Sequence, residues 1–322
     1  MPDPLLTALL LALVAVAAAT RVPWRRLLRR VPLPRRVPAP VRPGRSGRTP
    51  GPVRIAWEAT GRGPAVLLVH GLGYGRWGWE PIVERLADRL EVVTVDNRGI
   101  GDSDAPAGPY RTRVMAADLV AVLDDAGIDR ATVVGTSLGG MIAQELALHW
   151  PDRVDRLVLA ATIPGGVRTV PMPPYGAVTL AEAPYRSEAA RARAAVKLAL
   201  SPATIAGRPE VAARLAEVRA ANPLRRGVWA AQASAGIAFD PRAAQRELPH
   251  PTLIIQGTAD QVVNPGNGRA LAGLLPDATL VEVEGAGHLL FWERPAELAD
   301  LVAGFAAKAP GRRPGRVVAR TG

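Results

Sequence analysis

The chain contains no cysteine among its 322 residues, which excludes disulfides, thiolate metal sites and a cysteine nucleophile together. Histidine is scarce too: His70, His149, His250 and His288 are the only four. No nucleotide or metal motif appears. The glycines Gly44 and Gly47 are followed by no phosphate-loop lysine, so neither a cofactor nor a metal is expected. The N-terminal apolar run, Leu5 to Ala19 with one interruption at Thr7, is short for a membrane span. As a helix it would reach roughly 23 Å against a hydrocarbon core of roughly 30 Å.

Acid is also in short supply, with 29 acidic against 40 basic residues and a formal net charge of +11. The excess is confined to the ends. Ten arginines precede residue 51 against Asp3 alone, and five basic residues follow residue 306 with no acid. The body between them is mildly acidic, so no nucleic-acid partner is expected of it. Residues 1–20 read as an apolar anchor or signal-like segment. The arginines that follow place the body in the cytoplasm under the positive-inside rule, giving a membrane-anchored protein that associates through residues 5–19. Secretion after signal cleavage and a soluble cytoplasmic chain are the alternatives. Residues 21–52, rich in arginine and proline, read as a linker, and residues 308–322 as a basic disordered tail.

From Val53 short β-branched runs alternate with helical stretches. Ala65–Val69, Val92–Val95, Thr132–Val134, Leu157–Ala160, Thr252–Ile255 and Thr279–Val283 are apolar enough to be buried on both faces. Val53–Glu58 alternates with period two and suits an early antiparallel strand. The pattern predicts an α/β fold: a mostly parallel sheet of about eight strands with helices on both faces. The core comprises residues 53–162 and 250–307. Between them, 163–249 offers no strand but helices near 187–200, 209–220 and 224–236, and reads as a helical lid over the carboxyl edge of the sheet, where such sheets bind ligands.

One pentapeptide organises the rest. Gly135-Thr136-Ser137-Leu138-Gly139 follows an apolar strand and opens a run of good helix formers. A serine at the apex of that sharp strand–turn–helix is a candidate nucleophile, because glycines on either side of it relieve the crowding of a strained turn. Such a serine needs a base. His288, in Gly285-Ala286-Gly287-His288 after the last strand, sits late enough to swing over the sheet edge, and its neutral pKa suits the task. The base needs an orienting carboxylate, for which Asp260, just past the strand Thr252–Ile255, is the best placed. Asp124 and Asp125 are alternatives on a predicted helix. The order Ser137, Asp260, His288 is that of one class of serine hydrolases.

The sequence resembles the α/β-hydrolase fold family over roughly Val53 to Ala307. Besides the elbow it carries His70-Gly71-Leu72-Gly73, similar to the family's oxyanion loop, and Asp96-Asn97-Arg98-Gly99-Ile100-Gly101-Asp102-Ser103, similar to its D-x-R-G-x-G-x-S segment. The resemblance implies that the backbone N–H groups of Leu72 and Leu138 stabilise an oxyanion, and that the lid lies between the sixth and seventh strands. A serine where dehalogenases and epoxide hydrolases of the fold carry aspartate disfavours both chemistries. The expected activity is hydrolysis of a small-molecule carboxylic ester through an acyl-serine, with Gly71, Trp77, Tyr175 and Trp229 as candidate substrate contacts. Enol-lactone or carbon–carbon hydrolysis, perhydrolysis, acyl transfer and a non-catalytic binding role are the alternatives. His70 is expected to order the oxyanion loop, Arg98 and Asp102 to brace the loop after Val95, and His149 and His250 to be solvated.

Overall fold

The computed structural model describes residues 44–182, 188–242, 244–307 and 317–321. Nine strands among them form one sheet: β1 Arg45–Arg48, β2 Ala56–Thr60, β3 Ala65–Val69, β4 Glu91–Val95, β5 Ala131–Thr136, β6 Val154–Ala160, β7 Thr252–Gly257, β8 Ala278–Val283 and β9 Val317–Thr321. Their order across the sheet is β1-β2-β4-β3-β5-β6-β7-β8-β9. Pairing is antiparallel for β1–β2 and β2–β4, and parallel elsewhere.

The pleat explains the apolar runs. In β3, Leu67 and Val69 join one core, with Val133, Leu157, Leu159 and Ile254 and the helices Thr112–Asp125, Leu138–His149 and Gly266–Leu274. Val66 and Leu68 face the other way, into a second core with Val134, Val158 and Ile255 under the helices Glu80–Ala87 and Pro295–Ala306. Both alternate sets are fully buried because helices cover both faces. Each such side chain contributes about 1.5–3 kcal/mol on leaving water.

Two expectations about the ends need correction where the structure describes them. The linker reading of 21–52 missed β1. Its sequence, Arg-Ser-Gly-Arg, has no β-branched signal; it is held by backbone pairing to β2 and by arginines that reach the body. Arg45 bonds the Ala126 carbonyl at 2.8 Å and Glu91, and Arg48 pairs with Asp104 at 2.8 Å. Gly47 is required there, since a Cβ would sit 2.8 Å from the Trp57 indole. The disordered-tail reading likewise fails for Val317–Thr321, which extends the sheet in parallel register with β8. The apolar run 5–19 lies outside the described residues. No described helix is long and apolar enough to cross a membrane.

Between β6 and β7 the described chain forms helices Pro174–Glu182, Glu188–Ala199, Pro202–Gly207, Pro209–Ala221 and Arg226–Ile237, with no strand among the described residues. Three of these fall where helical composition predicts them. The insertion is tied to the loops at the carboxyl edge. Gln232, buried in helix Arg226–Ile237, accepts from Gly73 N–H at 2.9 Å and donates to the Arg98 carbonyl at 3.1 Å. The Tyr110 N–H bonds the Ala231 carbonyl at 3.2 Å.

Candidate active site

β5 delivers Ser137 to the carboxyl edge in a conformation few residues tolerate, with φ 54° and ψ −122°. The turn survives because its neighbours are glycines. A Cβ on Gly135 would lie 2.3 Å from the Gly139 carbonyl oxygen, and one on Gly139 2.1 Å from that of Val69. The backbone is tied on both sides: Ser137 N–H donates to the Ala160 carbonyl at 3.0 Å, and the Thr162 hydroxyl donates to the Ser137 carbonyl at 2.7 Å. The Ser137 side chain stays partly accessible.

β7 and β8 supply the other two groups. Asp260 is 1% exposed and His288 9% exposed. His288 Nδ1 and Asp260 Oδ2 are 2.9 Å apart. The other carboxylate oxygen of Asp260 accepts the backbone N–H groups of Val262 at 2.7 Å and Val263 at 2.9 Å. That turn fixes the carboxylate's plane and leaves Oδ2 to face the imidazole, so the Nδ1–H tautomer is favoured and Nε2 is left as the free base. No hydrogen bond joins Ser137 Oγ to His288 among the described residues; such bonds often tighten only when substrate arrives. Asp124 and Asp125 are engaged elsewhere, with Arg153 and with the Trp57 indole.

The loop after β3 brings a third component. Gly71 lies so close to Ser137 that a Cβ would be 2.9 Å from the serine Cβ; the glycine is there to permit that approach. Leu138 opens the helix Leu138–His149, whose first N–H groups have no intrahelical acceptor and carry the positive end of the helix dipole. Among the described residues neither Leu72 N–H nor Leu138 N–H has an acceptor. Two free donors beside a strained serine can stabilise a developing oxyanion.

His70 orders this loop. Its Nδ1 accepts the Gly71 N–H at 2.7 Å, its ring stacks on Tyr74 with centroids 4.6 Å apart, and the Asn97 amide donates to its carbonyl at 3.0 Å. Burial, reinforced by nearby His288, lowers the imidazole's pKa to about 3. An unfolded chain takes up this proton below about pH 6.5, and the folded one cannot until about pH 3. Stability is therefore lost as pH falls through that window, by up to about 1.4 kcal/mol per unit. Urea midpoints measured from pH 7 to 4 should fall more steeply in the wild type than in His70→Gln, and parallel slopes would remove His70 as the cause.

Asp96 knits the next loop, accepting the Arg76 N–H at 2.8 Å and the Asp102 N–H at 3.1 Å. Arg98 grips Asp118 through two bonds of 2.7 Å, which is the bracing expected of it. Of the candidate substrate contacts, Gly71 lies against Ser137, whereas the aromatic ones make no described contact with the serine or with His288. Trp77 packs with Tyr74 into a cluster with Leu200, Leu215 and Trp292. Tyr175 is half exposed and Trp229 partly buried. Among the described residues neither makes a hydrogen bond or ring contact with Ser137 or His288. His250 is not solvated: it is buried where the chain enters β7, with Nε2 3.0 Å from the Pro151 carbonyl. His149 meets Glu145 one turn back at 3.1 Å.

A cavity of about 440 Å3 between the helices Glu80–Ala87 and Pro209–Ala221 is lined by Glu80, Arg214 and Trp292, and by none of Ser137, Asp260 and His288. No described group of three His, Asp or Glu side chains is arranged to hold a metal ion. Sequence reasoning missed Gln232 and Glu293, both fully buried. Each interrupts or ends a short apolar run (Trp-Ala-Ala-Gln-Ala and Leu-Leu-Phe-Trp-Glu), which is the only local signal of their role.

Residues 64–295 match the model of the alpha/beta hydrolase fold. The chain is 30% identical over 258 residues to a putative carbamate hydrolase RutD of Azorhizobium caulinodans, covering 79% of this chain and 96% of that one. It is 29% identical to 3-oxoadipate enol-lactonase 2 of Acinetobacter baylyi, over 72% of this chain and 84% of that protein. Among solved structures, the esterase RhEst1 from Rhodococcus sp. ECU1013 superposes with a TM-score of 0.72 at 25% identity, covering 83% of this chain and 99% of that one. The protein belongs to the α/β-hydrolase fold family.

Proposed function

We propose that the protein is a serine hydrolase that cleaves carboxylic esters of small to medium apolar substrates. The observation that carries this reading is the 2.9 Å contact between His288 Nδ1 and a buried Asp260 whose second oxygen is already occupied. In this reading Ser137 Oγ attacks the ester carbonyl as its proton passes to His288 Nε2. The imidazolium is stabilised by Asp260, and the tetrahedral oxyanion accepts hydrogen bonds from Leu72 and Leu138 N–H. Collapse expels the alcohol, protonated by His288. Water, deprotonated by the same nitrogen, then attacks the acyl-serine and releases the acid. Each oxyanion donor is worth about 2.7–4 kcal/mol in the transition state.

Lactone opening is the second reading. It uses the same steps with the leaving alcohol still attached, and the similarity to an enol-lactonase favours it. The test is turnover of p-nitrophenyl esters from acetate to palmitate beside γ- and δ-lactones, with Ser137→Ala as control and a fluorophosphonate as label. Serine-dependent ester turnover peaking at short chains is expected. Lactone turnover exceeding it would favour the second reading. Absence of both turnover and labelling would overturn the enzyme assignment.

A further inference from the structure

Glu293 is fully buried, yet no step above uses it. It follows His288 on the short helix Leu290–Glu293, and its carboxylate turns back toward the loop that carries the base. Oε1 accepts the Gly287 N–H at 2.9 Å and the Ser201 N–H at 2.9 Å. Oε2 accepts the hydroxyls of Ser201 at 2.7 Å and Thr204 at 2.6 Å. Arg208 closes the cluster, donating to the Glu293 carbonyl at 2.6 Å. Ser201, Thr204 and Arg208 belong to the helical insertion, whereas Gly287 immediately precedes His288. On the other side of the base, the Leu289 N–H bonds the Ala199 carbonyl at 2.8 Å. The backbone flanking His288 is thus held on one side by Glu293, and on the other by the insertion itself. Gly287 has no room for a side chain: a Cβ would lie 2.7 Å from Ser201 N and 2.8 Å from Glu293 Oε1.

A carboxylate suits this position because every group facing it is a donor, and it offers only acceptors. The energetic preference is for all four bonds together, which requires the segment Ser201–Thr204 to be docked while the His288 loop is in place. We propose that Glu293 is a positioning residue that couples docking of the insertion to placement of His288, so that the base is in register only when the insertion is seated. The inference rests on the serine-hydrolase reading, in which His288 is the base. It goes beyond that reading by making the insertion part of the catalytic apparatus rather than only a wall of the substrate site.

Three variants of the full chain test it, with p-nitrophenyl butyrate as substrate, fluorophosphonate labelling rate as a second measure and thermal midpoint as a check on folding. Glu293→Ala should lower kcat by about 10- to 100-fold with KM changed by less than about threefold, because a small displacement of a catalytic group costs rate before binding. Glu293→Gln should keep at least about a third of kcat. Its amide oxygen can take the two backbone N–H groups, while its NH2 donates to hydroxyls that are free to rotate and accept. The decisive variant is Ser201→Ala/Thr204→Val, which removes the hydroxyls of the insertion and leaves the bond to Gly287 N–H intact. If the two elements are coupled, kcat and labelling rate both fall by at least about fivefold although nothing in the His288 loop has changed. Wild-type kcat in that double variant overturns the coupling, and it decides the matter even if Glu293→Ala does not fold. A folded Glu293→Ala with kcat within about twofold of wild type also overturns it. A wild-type chain without Ser137-dependent turnover or labelling overturns the hydrolase reading first, and this inference with it.

Discussion

Ser137→Gly is expected to remove turnover and to raise stability at the same time. The loss of activity follows from the loss of the proposed nucleophile, and in a serine protease that lost its catalytic serine it amounts to about 10⁶ in kcat. The gain follows from the backbone. With φ 54° and ψ −122°, residue 137 occupies a region that glycine enters freely and a residue with a Cβ enters at a cost of about 1–3 kcal/mol. Glycine returns about 0.5–1 kcal/mol of that through the freedom it adds to the unfolded chain. The net gain should be about 1 kcal/mol, read as a higher guanidinium midpoint with an unchanged slope. Ser137→Ala separates the two effects: it is equally inactive, but its Cβ keeps the strain, so its midpoint should stay close to wild type. Equal midpoints for the glycine and alanine variants would mean that the turn stores no strain. Retained ester turnover in either would mean that Ser137 is not the nucleophile.

The legibility of this site in the sequence follows the range of the interactions that build it. The elbow is local. An apolar strand, two glycines and a helix opening lie within a few residues, and their spacing leaves little room for another structure. The chain order of Ser137, Asp260 and His288 survives any detail of packing, so it could be read without coordinates. The sheet was legible for the same reason, because strands buried on both faces show as unbroken apolar runs such as Ala65–Val69. The supports were not. Glu293 meets Ser201 across 92 positions of sequence, and Gln232 meets Gly73 across 159. Nothing near either residue records its partner. β1 was hidden because arginine pairing and the backbone of β2, rather than β propensity, hold it in place. The burial of His250 is not legible because exposure is a property of the folded surface: no partner can be named for it from the sequence, whereas in the fold it is buried where the chain enters the sheet, against the Pro151 carbonyl.

Asp260→Asn is expected to leave the fold standing and to cost about four orders of magnitude in kcat, the effect of a wrong histidine tautomer in a site of this kind. Asparagine has the shape of aspartate but one acceptor in place of two. Its oxygen will go where two donors converge, toward the N–H groups of Val262 and Val263, because neither can be turned away. The amide NH2 then takes the place of Oδ2 and points at His288 Nδ1, now 2.9 Å from a donor instead of an acceptor. The imidazole answers by moving its proton to Nε2, the nitrogen that in the proposed mechanism receives the serine's proton. Gln256 limits the structural damage. A flip of its amide, whose Nε2 lies 3.4 Å from Oδ2, gives the new NH2 an acceptor at the expense of the 3.2 Å bond to the Gly257 carbonyl. Stability should consequently change far less than rate. The measurement is kcat/KM for a short p-nitrophenyl ester together with a denaturation curve, with Asp124→Asn and Asp125→Asn in parallel. A large loss confined to Asp260→Asn, at a nearly unchanged midpoint, assigns the orienting role to Asp260. If Asp260→Asn retained its rate and either of the other two lost it, the carboxylate serving His288 would have to be sought in the helix Thr112–Asp125, and the buried turn after β7 would be a structural brace alone.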